Sequence, residues 1–290
     1  MVGIIITAYN MEQYLRSAVE SALRQTYDDR HIYIVEDCST DSTPAIAQEL
    51  EQRHPDNITL LRHDENSGAG RARRTGIDQA LADGCEWIMT LDADDWMDPD
   101  FIERLRRRAD ETGAEIVSGG ITVERGEGYY EATCYGDVVT EGTERITKFW
   151  GEKIVFMNNK IIHRSVAEKV PYCTRRFVED TPTIIPMLYH ANRVAYVSTL
   201  GYHYRMQPSS LTHTSSPLRW AIYRALCADD LMRFFESQPD GRELLTTIPI
   251  GVSFNQQLAV LRRLAPTADD VKPYAADFAD LACRILRRLN

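Results

Sequence analysis

Apolar and polar positions alternate in blocks along the first 120 residues. Residues 2–7 are a β-branched run that predicts a buried first strand. Tyr14, Leu15, Ala18, Val19, Ala22 and Leu23 then recur at helical spacing. His31 to Val35 predicts a second strand, ending at Glu36-Asp37. Ser39-Thr40-Asp41-Ser42 supplies capping residues, with Pro44 in the first turn of the next helix. Ile58 to Leu61 predicts a third strand. Asn66-Ser67-Gly68-Ala69-Gly70 reads as a loop, and the helix after it carries Ala72, Ile77, Ala80 and Leu81. Trp87 to Leu91 is the fourth strand. Strands alternating with helices in this way predict an α/β fold, an open and mainly parallel sheet covered by helices.

A helix from about Pro99 to Gly113 and a strand over Glu115 to Val123 continue the pattern. The rhythm then changes. Residues 126–139 carry Gly, Tyr and Thr at hairpin-like spacing, and a helix is expected near Thr143–Trp150. Phe156 to His163 and Arg193 to Tyr204 read as extended, and from Pro217 onward the pattern is helical. These shifts divide the chain into 1–120, 121–215 and a helical extension over 216–290. There is no internal repeat and no low-complexity tract.

Composition narrows the function. Hydrophobic residues make up 43% and charged residues 26% of 290, ordinary for a soluble globular protein. The net charge of −10 argues against nucleic acid as the main partner, which would need a basic footprint. Cys38, Cys85, Cys134, Cys173, Cys227 and Cys283 form no Cys-x-x-Cys pair, so neither a zinc site nor a disulfide framework is expected, and a reducing cytosol fits. Met1 leads straight into a strand, so no signal peptide is expected, and no apolar run reaches membrane-span length.

The chemistry concentrates at Trp87-Ile88-Met89-Thr90-Leu91-Asp92-Ala93-Asp94-Asp95-Trp96. An apolar strand ends in three acids within four residues. In open α/β sheets, ligands bind beyond the carboxyl ends of the strands. Acids crowded there repel one another unless a cation joins them, and hard oxygen donors suit Mg²⁺ or Mn²⁺. The plain alternative is a solvated turn capping the next helix. Two other strands end in polar clusters, Thr7-Ala8-Tyr9-Asn10 and Glu36-Asp37-Cys38-Ser39-Thr40-Asp41. A Gly-rich loop with Arg71, Arg73 and Arg74 follows the third strand. All four would share one rim of the sheet.

On these residues the chain resembles the family 2 glycosyltransferases with the GT-A fold. The matching pieces are Ile4-Ile5-Ile6-Thr7-Ala8-Tyr9-Asn10, Gln25-Thr26-Tyr27, Glu36-Asp37-Cys38-Ser39-Thr40-Asp41, Asn66-Ser67-Gly68 with Arg71-Ala72-Arg73, and Leu91-Asp92-Ala93-Asp94-Asp95. Glu179-Asp180 and Tyr202-His203-Tyr204-Arg205 look like later motifs of the family. The resemblance implies a nucleotide-sugar donor, with Asp37 accepting the base's imide N–H and Thr7 and Tyr9 also at the base. It implies Arg71 on the donor phosphates, with Gly68 and Gly70 giving close backbone approach, while Arg73 and Arg74 read as a solvated helix face. Asp92-Ala93-Asp94 matches the Asp-x-Asp motif, Asp94 at the metal and Asp92 at the ribose or a metal-bound water; Asp95 either orients them or is exposed. His203 either completes the metal shell or contacts phosphate, or it is a packed histidine. Glu179-Asp180 supplies the catalytic base, Asp180 by preference, against the alternative of an acidic helix start. Arg205, Ser209 and Ser210 lie on an expected lid, and Asn159-Lys160 matches a motif of the acceptor half or is structural.

The sequence departs from the family pattern at Thr7, often Pro, at Arg74, often Asn, and at Glu36, usually Asp. Pro186, inside the helix expected after Asp180, would kink it. The resemblance implies a metal-dependent, inverting transfer from a nucleotide-sugar, a UDP-sugar by preference, to a hydroxyl of a glycan, lipid-linked or other acceptor in polysaccharide or glycan assembly. Transfer to a polyprenyl phosphate and an inactive nucleotide-sugar-binding module are the alternatives. The last helix carries Phe278, Leu281, Ala282, Ile285, Leu286 and Leu289 on one face, with Arg284, Arg287 and Arg288 beside it. Such a face packs on the body of the protein, on a second copy in a homo-oligomer, or on the inner face of a membrane, giving a cytoplasmic and peripheral expectation.

Overall fold

The computed structural model describes residues 1–125, 129–134, 136–152, 156–175, 179–207, 216–248, 250–265, 267 and 272–289. Ser209 and Ser210 of the expected lid, and residues 126–128 of the expected hairpin, lie outside the described residues.

In the first 92 residues the strands and helices fall where the apolar blocks predict. β1 (Val2–Ala8) pairs in parallel with β2 (Arg30–Glu36) on one side and β4 (Trp87–Asp92) on the other, and β2 pairs in parallel with β3 (Ile58–Arg62). The residues of β1 are apolar on both faces because both are covered. Val2, Ile4 and Ile6 pack in one core with Leu15, Ala18 and Val19 of α1 (Leu15–Leu23) and Ala47 and Leu50 of α2 (Thr43–Arg53). Ile5 faces α3 (Ala69–Ala82) on the opposite side. A Cβ at Gly76 of that helix would stand 2.6 Å from Ile5 Cγ2, so the absent side chain is what lets helix and sheet close. Each fully buried Val or Ile contributes roughly 1.5–3 kcal/mol to such a core.

Beyond β4 the sheet becomes mixed. β9 (Lys160–His163) runs antiparallel between β4 and β6 (Ile116–Arg125). β10 (Arg193–Arg205) lies parallel to β6 and antiparallel to the two-residue β5 (Trp96–Met97). β7 (Tyr129–Thr133) and β8 (Val139–Glu141) join the sides of β6 and β10. The sheet order is β3-β2-β1-β4-β9-β6-β10-β5. β9 pairs only with Trp87 and Ile88 of β4, so it stops short of the strand's acidic end. There the neighbour is Asn158, bridged to Thr90.

Gln25-Thr26 has a structural task. The buried Gln25 amide donates to the Asp98 carbonyl at 2.7 Å and accepts from the Ile102 N–H at 3.0 Å, while the Thr26 N–H donates to the Pro99 carbonyl at 2.7 Å. This ties the end of α1 to the start of α4 (Phe101–Thr112), which ends on Gly113 at φ 66°.

The chain divides into two compact units, Met1–Met206 and Gln207–Asn290. β6 runs straight through the boundary expected at residue 120, so one sheet carries both the expected donor part and the expected acceptor part. α5 (Glu144–Glu152), α6 (Arg164–Ala167) and α7 (Asp180–His190) complete this unit. α7 runs through Pro186, which removes one backbone donor within the helix but lies six residues after Asp180.

The second unit is helical, as predicted. α8 (Pro217–Glu236), α9 (Gly241–Thr247) and α10 (Ile250–Leu264) precede α11 (Ala275–Leu289). α11 is seated on α8 within its own unit. Its Arg284 lies 2.6 Å from Asp230 and 3.2 Å from the fully buried Asp229, while Leu281 is buried and Leu286 stays 60% exposed. Arg284 is therefore not part of a free basic face. Among the described residues no single helix is long and apolar enough to cross a membrane.

Candidate active site

The rim formed by the ends of β1, β2 and β4 is built first by the loops after β1 and β2, which interlock. Asn10, at φ 56°, accepts the Thr40 N–H on its Oδ1 at 2.9 Å and donates its own N–H to Ser39 Oγ at 3.0 Å. The Met11 N–H donates to Thr43 Oγ1 at 2.7 Å, and Asp41 accepts from the backbone of both Glu12 and Thr43. The polar residues of these two clusters are spent largely on each other, which shapes the rim.

Asp37, 3% exposed, is the anchor of the Gly-rich loop. Its Oδ1 accepts the Ser67 N–H at 2.9 Å and lies 2.7 Å from His63 Nδ1, and its Oδ2 accepts the Gly68 N–H at 2.7 Å. A carboxylate has about four acceptor sites, so one remains on Oδ2. Tyr9 is 40% exposed on the same rim and Thr7 is half-buried beside Asp92 in register.

Asp92, Ala93, Asp94 and Asp95 form a tight turn, closed by the Asp95 N–H on the Asp92 carbonyl at 3.0 Å. Asp95 is not exposed. It is 1% accessible, accepts from Tyr202 Oη at 2.7 Å and from the Arg205 N–H at 2.9 Å, and so pins the turn to β10. Burial, then the charges of Asp92 and Asp94, hold its carboxyl well above the usual range. Asp94 is pushed up to about 6 by burial and by Asp92, against the pull of Arg205. Arg205 donates from Nε to the Asp94 carbonyl at 3.0 Å, and its guanidinium lies over the rings of Trp96 and Tyr14. Asp92 Oδ2 accepts the Asn158 amide at 3.1 Å.

The helix face read as solvated holds the centre of the cluster. The Arg73 side chain is only 8% exposed; its Nη1 reaches Asp180 Oδ1 at 2.8 Å and Glu179 Oε1 at 3.0 Å, and its Nη2 lies 3.4 Å from Asp92 Oδ1. Arg73 shares its helix face with Ile77 and Ala80, four and seven residues on, and this periodicity marks it as inward. Arg71, the residue expected at the phosphates, is exposed on α3, and Arg74 pairs with Asp78. Gly70 has a different use from the one expected. A Cβ there would sit 2.5 Å from the Arg175 carbonyl oxygen and 2.6 Å from that of Cys173, so the glycine admits the backbone that leads into α7. That crossing delivers Glu179 and Asp180 to Arg73.

Asp180 occupies the first turn of α7, where the helix dipole favours a carboxylate. Withdrawal from water, with Glu179 and Asp92 nearby, pushes its carboxyl up to about 7, while Arg73 and Lys160 oppose the rise. The side chain keeps 29% of its surface open, and its Oδ2 has no partner among the described residues. Lys160 is fully buried and donates to the Phe156 and Asn158 carbonyls and to Asn159 Oδ1, at 2.5, 2.9 and 2.6 Å. It thereby folds the turn that presents Asn158 to Asp92, which is a structural role for Asn159-Lys160.

His203 is committed elsewhere than the acid pair. Its Nε2 lies 2.9 Å from Asp98 Oδ1, and its ring stacks on Trp96 at 5.1 Å and 3°. Among the described residues no group of three or more His, Cys, Asp or Glu is arranged to hold a metal ion. Asp92 and Asp94 nonetheless fit a divalent cation of the Mg²⁺ or Mn²⁺ kind. They are hard oxygen donors, and Asp94 is raised partly by repulsion that a cation would relieve. Such ions commonly take their remaining ligands from water and substrate phosphates.

A parallel sheet half, an Asp-x-Asp turn at its rim and an acidic helix start facing that turn define the GT-A architecture. The family model for glycosyl transferase family 2 matches residues 3–171. The chain belongs to that family. It is 34% identical over 218 residues to the putative glycosyltransferase EpsH of Bacillus subtilis (strain 168), an alignment covering 72% of this chain and 62% of that protein. It is 28% identical over 233 residues to the glycosyltransferase GlyG of Streptococcus pneumoniae serotype 4, covering 76% of each. Among solved structures, Staphylococcus aureus TarS 1–349 in complex with UDP-GlcNAc superposes with a TM-score of 0.74 at 17% identity, over 98% of this chain and 81% of that one. The mannosyltransferase PcManGT from Pyrobaculum calidifontis, in complex with GDP-Man and Mn²⁺, gives 0.56 at 16%, over 96% and 79%. At these identities the structural likeness speaks for the fold.

Proposed function

We propose that this chain is an inverting glycosyltransferase that moves a sugar from a UDP-sugar to an acceptor hydroxyl. The observation that carries this is the meeting of the strand-end acid Asp92 with Glu179 and Asp180 on one buried cation, Arg73. A donor-side acid and a candidate base are thereby within reach of one reacting centre. Asp180 takes the hydroxyl proton on its open oxygen as the acceptor oxygen bonds to the anomeric carbon. The bond from that carbon to the diphosphate breaks in the same step, and the electron pair leaves on the diphosphate. Asp92 and Asp94 are the residues that would hold a divalent cation, whose charge supports the departing diphosphate. The bound nucleotide-sugars of TarS and PcManGT favour a donor of this class.

Uridine is supported by Asp37, whose remaining acceptor site on Oδ2 suits an imide N–H. Cytosine presents an acceptor at the matching position and would leave that site unfilled, facing the carboxylate oxygen with a lone pair. A hydrogen bond to a charged group contributes about 1.5–3 kcal/mol, so UDP is expected to bind at least about 10-fold tighter than CDP by calorimetry. Asp37→Asn, which keeps the shape of the side chain, should narrow that gap. Equal affinity of the parent for UDP and CDP would remove the uridine assignment.

A further inference from the structure

Arg73 touches both ends of the candidate reaction centre, Asp92 on one side and Glu179 and Asp180 on the other. Its guanidinium lies beneath three carboxylates that differ in openness. The side chain of Glu179 is 13% exposed, that of Asp180 29% and that of Asp92 34%, against 8% for Arg73 itself. The acids come from two distant parts of the chain, Asp92 from the end of β4 and the adjacent Glu179 and Asp180 from the start of α7, and without a shared cation their charges would drive the two parts apart. Two of them meet a single nitrogen, Nη1, and the third meets Nη2. A planar fork with five N–H donors in fixed directions can do this; the compact ammonium of a lysine cannot span the same three partners.

The surroundings hold the fork still. Gly70 seats the 173–175 backbone against α3 one turn before Arg73, and the Thr183 hydroxyl ties that same stretch to α7 by accepting the Cys173 N–H at 3.1 Å and donating to the Glu179 carbonyl at 2.8 Å. Asn158 holds the other oxygen of Asp92. We propose that Arg73 is a positioning residue that sets the distance and direction of Asp180 relative to Asp92, and hence to a donor bound there. The inference rests on Asp180 being the base, and it assigns Arg73 to orientation of that base and not to donor affinity.

The test is a double-mutant cycle built on Arg73→Lys and Asp180→Asn, using the parental donor and acceptor. Single-turnover transfer gives the rate, calorimetry gives donor affinity, and near-ultraviolet circular dichroism checks the fold. A misplacement of about 1 Å can cost about 10²-fold in rate. Arg73→Lys is therefore expected to lower transfer by about 10²-fold with donor affinity changed less than about threefold. In the Asp180→Asn background the same substitution should cost almost nothing, because the group it positions is gone. A loss of equal size in both backgrounds, or a loss expressed in donor affinity, overturns the inference and makes Arg73 a donor contact. If Asp180→Asn itself transfers at the parental rate, the base assignment is what has failed, and the two failures are thus distinct. Should Arg73→Lys not fold, Gly70→Ala carries the test, since it displaces the 173–175 backbone and Glu179 while keeping every charge. A rate loss confined to the Asp180 background supports the inference, and an unchanged rate or weakened donor binding contradicts it.

Discussion

Asp180→Asn is expected to lower sugar transfer by about 10²–10⁴-fold, the usual contribution of a general base, with donor binding nearly intact. A single displacement has no second nucleophile to compensate. Glu179→Gln should cost less, because Glu179 is the more enclosed of the two and its side chain contacts Arg73 without capping α7, a supporting arrangement. The pH dependence follows from the environment. A carboxyl acting as base must be deprotonated, and burial together with Glu179 and Asp92 pushes that of Asp180 up to about 7. Transfer should therefore rise with pH through about 7 and then level off. The rising limb should be missing from the residual activity of Asp180→Asn. Parental rates in that variant, with the limb intact, would place the base elsewhere or make the acceptor an anion already, as a polyprenyl phosphate is.

Asp94→Asn is expected to abolish most of the gain in UDP affinity that Mn²⁺ confers. Loss of a mere supporting partner around a metal typically costs about 10–100-fold in affinity, and loss of a charged ligand oxygen should cost at least the upper end of that range. Calorimetry with and without Mn²⁺ measures it, and an undiminished Mn²⁺ effect in the variant would remove Asp94 from the metal site. The same substitution has a signature without metal. The folded-state carboxyl of Asp94 is raised to about 6, above its ordinary value of about 4, so it favours the folded state at low pH. That contribution is lost as pH rises through about 6. Metal-free parent should lose thermal stability over this window, and Asp94→Asn should lose less.

The donor half was largely legible because its signals are local. A buried parallel strand needs an unbroken apolar run, and the acids at its end are adjacent in sequence, so Asp92 and Asp94 stand out beside Leu91. Asp37 stood out for the same reason, although its bonds to Ser67 and Gly68 show that it also builds the loop. Arg73 was misread because its surroundings arrive from more than 100 residues further on, at Glu179 and Asp180. Its spacing from Ile77 and Ala80 carried the signal, but charge outweighed periodicity in the assignment. Asn158 had no local mark at all: only the antiparallel insertion of β9 brings it to Asp92. β5 is too short for any period to show, and His203 took its partners from that turn, where Trp96 and Asp98 compete with any metal for its ring. Gly70 was recognised as a place of close backbone approach, but what approaches it is this chain and not a phosphate.

The central claim is that these acids direct one in-line displacement at the anomeric carbon of a nucleotide-sugar. The most direct measurement is the anomeric configuration of the first product, read by nuclear magnetic resonance after single-turnover transfer from an α-linked UDP-sugar with Mn²⁺. The expected result is a β-linked product formed by the parent and almost none by Asp180→Asn. An α-linked product would contradict it, whichever carboxylate proved essential.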